Sequence, residues 1–181
     1  MWRIDYRSIF DRVIATQDWH PPHHISFAAN HPGRQPGERI ACFGGEQVLW
    51  PIHCVQNTNG AALVSQLNGE TIHKIIYKGT DPAIDSYSAF FDNARQKETP
   101  LADYLKQYTI QELYVMGVAL EYCVQYTVLD ACALGFKTYL IVEGCRGISP
   151  DAEQKAIRVM QAAGAQLFSS AMLSEHFHLN K

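Results

Sequence analysis

The sequence predicts an α/β fold, a mostly parallel β-sheet covered by helices on both faces, and three observations carry that expectation. Apolar runs of strand length recur along the chain and are continuous rather than alternating, the pattern of strands buried on both faces. Most are separated by segments with helical spacing, the order that parallel crossovers require. The 181 residues, 47% apolar and 18% charged, suffice for a sizeable core and argue against disorder. One soluble globular domain over residues 1–181 is expected.

Residues 12–16, RVIAT, read as a short buried strand, and a loop to about residue 55 follows. Connections of that length are usually functional or partly disordered. Residues 61–67, AALVSQL, read as a short helix, and residues 71–77, TIHKIIY, as a β-branched and aromatic strand. After a second loop to about residue 99, Thr99 and Pro100 form the N-cap and first position of a helix that reaches Tyr108. Residues 112–118, ELYVMGV, give a third strand. Residues 121–134 have helical spacing that Gly135 stops. A fourth strand, KTYLIV, covers residues 137–142. Ser149, Pro150 and Asp151 then open a helix that ends near Gly164, and residues 166–169 make the fifth strand. Ligands of such sheets collect at the carboxyl ends of the strands. Asp18, Lys78, Ala119 and Cys145 fall on or near that rim.

Formal net charge is −3, from 15 basic and 18 acidic side chains, and no basic block marks a nucleic-acid surface. No apolar run reaches the length of a membrane span. The opening MWRIDYRSIF lacks the apolar region of a secretory signal, so a cytoplasmic location is expected. The five cysteines are odd in number and have no C-x-x-C spacing, which fits free thiols in a reducing compartment.

The stretch ATQDWHPPHHISF, residues 15–27, concentrates metal-ligand types. Asp18 and His20 are two apart in an extended segment and share a face. A third donor, from His24 or from His53 in WPIHC, would give the mixed oxygen and nitrogen set that a borderline divalent ion accepts. Solvated loop histidines are the competing reading, since the spacing matches no compact zinc signature. His23 and His31 read as surface or supporting groups and His73 as structural, while His176 and His178 receive no role.

Cys123, in GVALEYCVQYT, falls in the first turn of a helix opened by Glu121. Unpaired N–H groups and the helix dipole there favour a thiolate and could receive an oxyanion. A small buried hydrophobe is the alternative. Cys132 and Cys145 lack that electrostatic case, and Cys54 reads as filler beside His53. Lys78, at a strand's carboxyl end, would supply the cation that a thiolate needs; a surface lysine is the alternative.

Together, ATQDWHPPHHISF, WPIHCVQNT, YKG with DSYSAFFDN, and GVALEYCVQYTVLDACALGF resemble the nicotinamidases, among the isochorismatase-like cysteine hydrolases, from about residue 12 to residue 168. The resemblance implies a three-layer, doubly wound sheet. It implies metal ligands at Asp18, His20 and His53, with His24 as a further ligand or a nearby polar group. Lys78 matches the catalytic lysine and Cys123 the nucleophile, while Trp50 and Tyr87 match residues that hold the pyridine ring. Val118–Ala119 matches a cis peptide bond, with oxyanion donors at the N–H groups of Ala119 and Cys123. One divalent ion is implied, zinc first, with iron or manganese as alternatives. Nicotinamide is the implied small-molecule substrate, hydrolysed to nicotinate and ammonia through a cysteine thioester in NAD salvage; a homo-oligomer is compatible with this.

The resemblance also implies an earlier strand that lies in the middle of the sheet and ends in the general acid/base aspartate, with an aromatic pocket residue close behind. Nothing here matches them. MWRIDYRSIFDR resembles only the helix that precedes VIATQDWH, and neither Asp5 nor Asp11 is a counterpart. The five strands would then be the second to sixth of six, and the neighbours of the missing strand would have to pair anew. The expectation is an N-terminally incomplete domain. The alternative function is a short form that binds metal and pyridine carboxamide without turnover.

Overall fold

The computed structural model describes residues 9–42, 45–67, 71–169 and 171–172. Asp5, His176 and His178 lie outside the described residues. The chain divides into two compact units, one holding residues up to Ser86 together with 92–99, the other holding 87–91 and the chain from Pro100 onward.

In the first unit, β1 (Ile14–Asp18) pairs in parallel with β4 (Lys74–Lys78), in a register that sets Ile14 against Lys74 and Asp18 against Lys78. Between them lies an antiparallel pair, β2 (Arg39–Cys42) with β3 (Gly45–Val48). The long loop expected after β1 therefore carries a hairpin. Its strands are only four residues each, too short for their apolar spacing to announce them. Phe27, Leu49 and Ile76 are buried in this unit. The helix expected over residues 61–67 does not form: a single 3-10 turn at Asn59–Ala61 stands there, and Val64 and Leu67 are exposed. A seven-residue helix with no buried face has nothing to offset its nucleation.

The second unit is built from strands and helices in alternation. After α1 (Leu101–Gln107), β5 (Glu112–Val118) runs into a π-helical turn at Leu120–Val124 and then α2 (Gln125–Ala133). β6 (Lys137–Arg146), α3 (Pro150–Ala162) and β7 (Gln166–Phe168) follow, and β5, β6 and β7 pair in parallel. α1 begins one residue later than expected, with Pro100 rather than Thr99 at the cap. α2 ends as expected: Gly135 sits at φ +88 while Gly135 N–H and Phe136 N–H bond back to Cys132 and Ala131. Ser149 caps α3, its hydroxyl accepting from Ala152 N–H at 3.3 Å, with Pro150 in the first turn. Leu120, Val124 and Val128 pack with Leu140 of β6 and with Ala156, Ile157 and Met160 of α3.

All five expected strands form and all pair in parallel, but they lie in two ladders, β1–β4 and β5–β6–β7, with no ladder joining them among the described residues. Among the described residues, no helix is long and apolar enough to cross a membrane.

Candidate active site

The donor cluster of the first unit grows out of the β1–β4 ladder. Its register brings the Asp18 carboxylate to the Lys78 ammonium, which also donates to the Ser86 carbonyl at 2.9 Å. One step further, His20 N–H bonds to the Cys54 carbonyl and Gln56 N–H to the His20 carbonyl, at 3.0 and 2.9 Å. This isolated bridge, His20 against Val55, draws in the segment that carries His53. The His20 and His53 rings lie 4.9 Å apart, and one donor atom from each of Asp18, His20 and His53 falls within 4.8 Å of the others.

The rings are turned for ligation. His20 Nδ1 donates to the Gly79 carbonyl at 2.8 Å and His53 Nδ1 to the Pro51 carbonyl at 2.8 Å. A carbonyl only accepts, so each Nδ1 carries the proton and each Nε2 keeps its lone pair. Metal-ligating imidazoles are oriented in this way by the partner of the other nitrogen. His24 is fully buried; its Nδ1 bonds to Ser26 Oγ at 2.7 Å, and its Nε2 is buried with no hydrogen-bond partner. That nitrogen lies 4.0 Å from Asp85 Oδ1, and His20, His24 and Asp85 form a second, wholly buried donor group that shares His20 with the first. Asp18, His20 and His53 thus suit a divalent ion, with a carboxylate and two open imidazole nitrogens, whereas His24 Nδ1 accepts from Ser26 N–H at 3.3 Å, which leaves the ring proton on Nε2.

The electrostatics follow from burial. Desolvation pushes the His20 and His24 imidazoles down, His24 to about 4, against the opposing pull of the Asp85 carboxylate. Burial alone would raise the Asp18 carboxyl, but the Lys78 ammonium, by charge and hydrogen bond, and then His20 and His53 bring it below its ordinary value. The neutral imidazoles and ionised carboxylate are the protonation states a cation needs.

Two residues that the sequence left unassigned support this cluster. Gly79 accepts the His20 bond, sits at φ +61, and lies so close that a Cβ there would overlap the His20 ring. Asp85 is buried, accepting from Gln47 Nε2 at 3.0 Å and Ser86 N–H at 2.7 Å. Gly79 directly after a rim lysine was the available signal; Asp85 had none, being one aspartate in a polar loop. Trp50 is half-buried and tied by its backbone to Ser26 and Ala28. His23 is exposed, His31 bonds the Ile25 carbonyl, and His73 Nδ1 accepts from Val13 N–H.

Cys123 lies in the second unit. The Val118–Ala119 peptide bond is cis, and the π turn that follows carries Glu121, Tyr122 and Cys123 before α2 begins. The turn opens at Leu120, one residue before the expected start, and the N–H groups of Tyr122 and Val124 converge on the Ala119 carbonyl. Cys123 is half-buried. The Tyr87 ring stands 5.3 Å from Tyr122 and 5.4 Å from Tyr126, the two aromatics that bracket Cys123 in sequence. All five cysteines are free thiols, and burial pushes the Cys145 thiol up.

The fold and these residues define an isochorismatase-like α/β protein: the isochorismatase domain family matches residues 12–172, through both compact units. The chain is 48% identical over 163 residues to the nicotinamidase of Escherichia coli (strain K12), covering 89% of this chain and 76% of that protein. The Acinetobacter baumanii nicotinamidase and pyrazinamidase structure superposes with a TM-score of 0.89 at 45% identity, over 93% of this chain and 83% of that one. The Pyrococcus horikoshii pyrazinamidase, solved in complex with zinc, gives 0.70 at 37% identity, over 87% and 75%. The chain belongs to the nicotinamidase/pyrazinamidase family.

Proposed function

We propose that this chain hydrolyses nicotinamide to nicotinate and ammonia, using Cys123 as nucleophile and a divalent metal ion held by Asp18, His20 and His53. The carrying observation is the Asp18–His20–His53 cluster, with both imidazoles turned by backbone carbonyls so that each Nε2 stays open. The identity to nicotinamidases supports the substrate class, and the zinc-bound pyrazinamidase makes zinc the first choice of metal, ahead of iron or manganese. When bound, the ion would anchor the pyridine ring nitrogen, directly or through a water ligand.

Trp50 and Tyr87 hold the ring. The Cys123 thiolate adds to the carboxamide carbon, and the N–H groups of Ala119 and Cys123 receive the oxyanion. The C–N bond breaks, ammonia leaves with a proton, and a thioester remains. Water adds to the thioester, the C–S bond breaks, and nicotinate and the thiol are released. Lys78, buried and paired with Asp18, is the catalytic lysine of this scheme. His24 is a further ligand or a polar support for the ion. On this reading residues 1–181 are one nicotinamidase-like domain, in the cytoplasm, feeding pyridine nucleotide salvage.

A second reading is binding of the metal and a pyridine carboxamide without turnover. Ammonia release from nicotinamide by the zinc-loaded chain, with Cys123→Ala as blank, separates the two. Cysteine-dependent release supports hydrolysis; calorimetric binding of nicotinamide without release supports the second reading instead.

A further inference from the structure

We propose that Glu121 is a positioning residue for the nucleophile, a carboxylate that ties the Cys123 turn to the loop after the neighbouring strand. The inference rests on the assignment of Cys123 as nucleophile. β5 and β6 are adjacent parallel strands, so the turn that follows β5 and the loop that follows β6 emerge at the same end of the ladder. Glu121 sits two residues before Cys123 in the π turn, and its Oε1 accepts the Ile148 N–H at 2.7 Å, across 27 residues of sequence. One residue earlier, Gly147 N–H is held by Glu153 Oε1 from the first turn of α3. Two successive backbone donors of this loop are therefore gripped by two carboxylates, one from the nucleophile's turn and one from α3.

Gly147 is what lets the grip close. Its backbone passes so near Glu121 that a Cβ would run into Glu121 Oε2 and Glu153 Cγ. Glu121 Oε2 is itself buried with no hydrogen-bond partner. A buried carboxylate oxygen without a partner is unfavourable, so its retention in the turn points to the other oxygen's bond as the reason for the residue. Helical geometry alone does not fix this turn, since five-residue π turns are rare and mostly occur at functional sites. The tie from Glu121 to Ile148 supplies a fixed point for the turn, and hence for the direction of Cys123 Sγ.

Three variants separate positioning from charge. Glu121→Ala removes the tie and the charge; Glu121→Gln removes the charge and keeps an acceptor oxygen; Gly147→Ala keeps the charge and displaces the carboxylate. The readout is the iodoacetamide alkylation rate of Cys123, followed on its own peptide by mass spectrometry in the full zinc-loaded chain. Thermal melting checks that each variant is folded. Positioning predicts that Glu121→Ala and Gly147→Ala shift that rate by at least about tenfold, since misplacing a reacting atom by an ångström can cost about a hundredfold. Glu121→Gln then restores it to within about threefold of wild type, and kcat for nicotinamide falls in the first two variants with KM little changed.

If both Glu121 variants change the rate alike and Gly147→Ala does not, the effect is one of charge and the proposal is wrong. Wild-type rates in folded Glu121→Ala and Gly147→Ala overturn it equally. Failure of the nicotinamidase assignment shows separately, as a wild-type chain that releases no ammonia, because alkylation of Cys123 needs no substrate.

Discussion

In the donor unit the reactive side chains hang on a long and mostly irregular segment; in the cysteine unit they sit on a strand, a tight turn and a helix. The first unit places His20 and His53 through an isolated bridge and through carbonyl bonds to each ring. The second places Cys123 at the end of β5, over an apolar core of Leu120, Val124, Val128, Leu140 and Met160. One unit fixes its chemistry with individual polar contacts, each of which a single substitution can remove. The other fixes it with packing shared among many side chains, and uses polar contacts only to trim the turn.

The largest effect expected from this division is at Cys123. Cys123→Ala should lower turnover of nicotinamide by roughly 10⁴-fold or more and leave the zinc content unchanged. Loss of zinc in that variant, measured by atomic emission, would break the comparison, because the ion would then depend on the cysteine unit.

Acid should act mainly on the donor unit. Burial holds His20 below its ordinary value and His24 at about 4 instead of 6.5. Between those pH values the unfolded chain binds protons that the folded chain refuses, so stability rises with pH across the interval. Stability of the metal-free protein should be full above about pH 6.5 and fall toward pH 4, by at most about 3 kcal/mol for His24. Asp18, held below its ordinary value, adds a loss in the same direction at still lower pH. Denaturant midpoints after chelation measure this; a midpoint flat from pH 7 to 4 would contradict it.

Gly79→Ala sharpens the comparison at one residue. The left-handed φ and the overlap of its Cβ with the His20 ring predict a loss of zinc affinity of about 10–100-fold, with Cys123 alkylation unchanged. Competition with a chromogenic chelator gives the affinity. The smallest effect belongs to the exposed hairpin: Arg39→Ala removes an ion pair with Glu46 on the surface and should shift stability by less than about 1 kcal/mol.

The cysteine unit was also the more legible in sequence, for the same physical reason. ELYVMGV, KTYLIV and the Ser149–Pro150 cap announce two strands and a helix start; β5 and the cap stand where expected, although β5 is only partly buried, and β6 runs four residues further, to Arg146. The turn that carries Cys123 starts one residue earlier than expected, since apolar spacing does not distinguish a π turn from an α-helix. In the donor unit Asp18, His20 and His53 were legible as ligand types and came together. The hairpin at Arg39–Val48 was not, because its strands are too short to show a pattern, and neither were the closeness of Gly79 to His20 and the burial of Asp85, which depend on contacts between segments far apart in the chain.

The central claim is the proposed covalent step on Cys123. The most direct test is mass spectrometry of the Cys123 peptide from zinc-loaded protein quenched during turnover of nicotinamide. The account predicts a nicotinoyl thioester on Cys123 that is lost in His53→Ala, whose ligand set is broken. Ammonia release with no acyl adduct on Cys123 at any quench time, and undiminished release by Cys123→Ala, would contradict it.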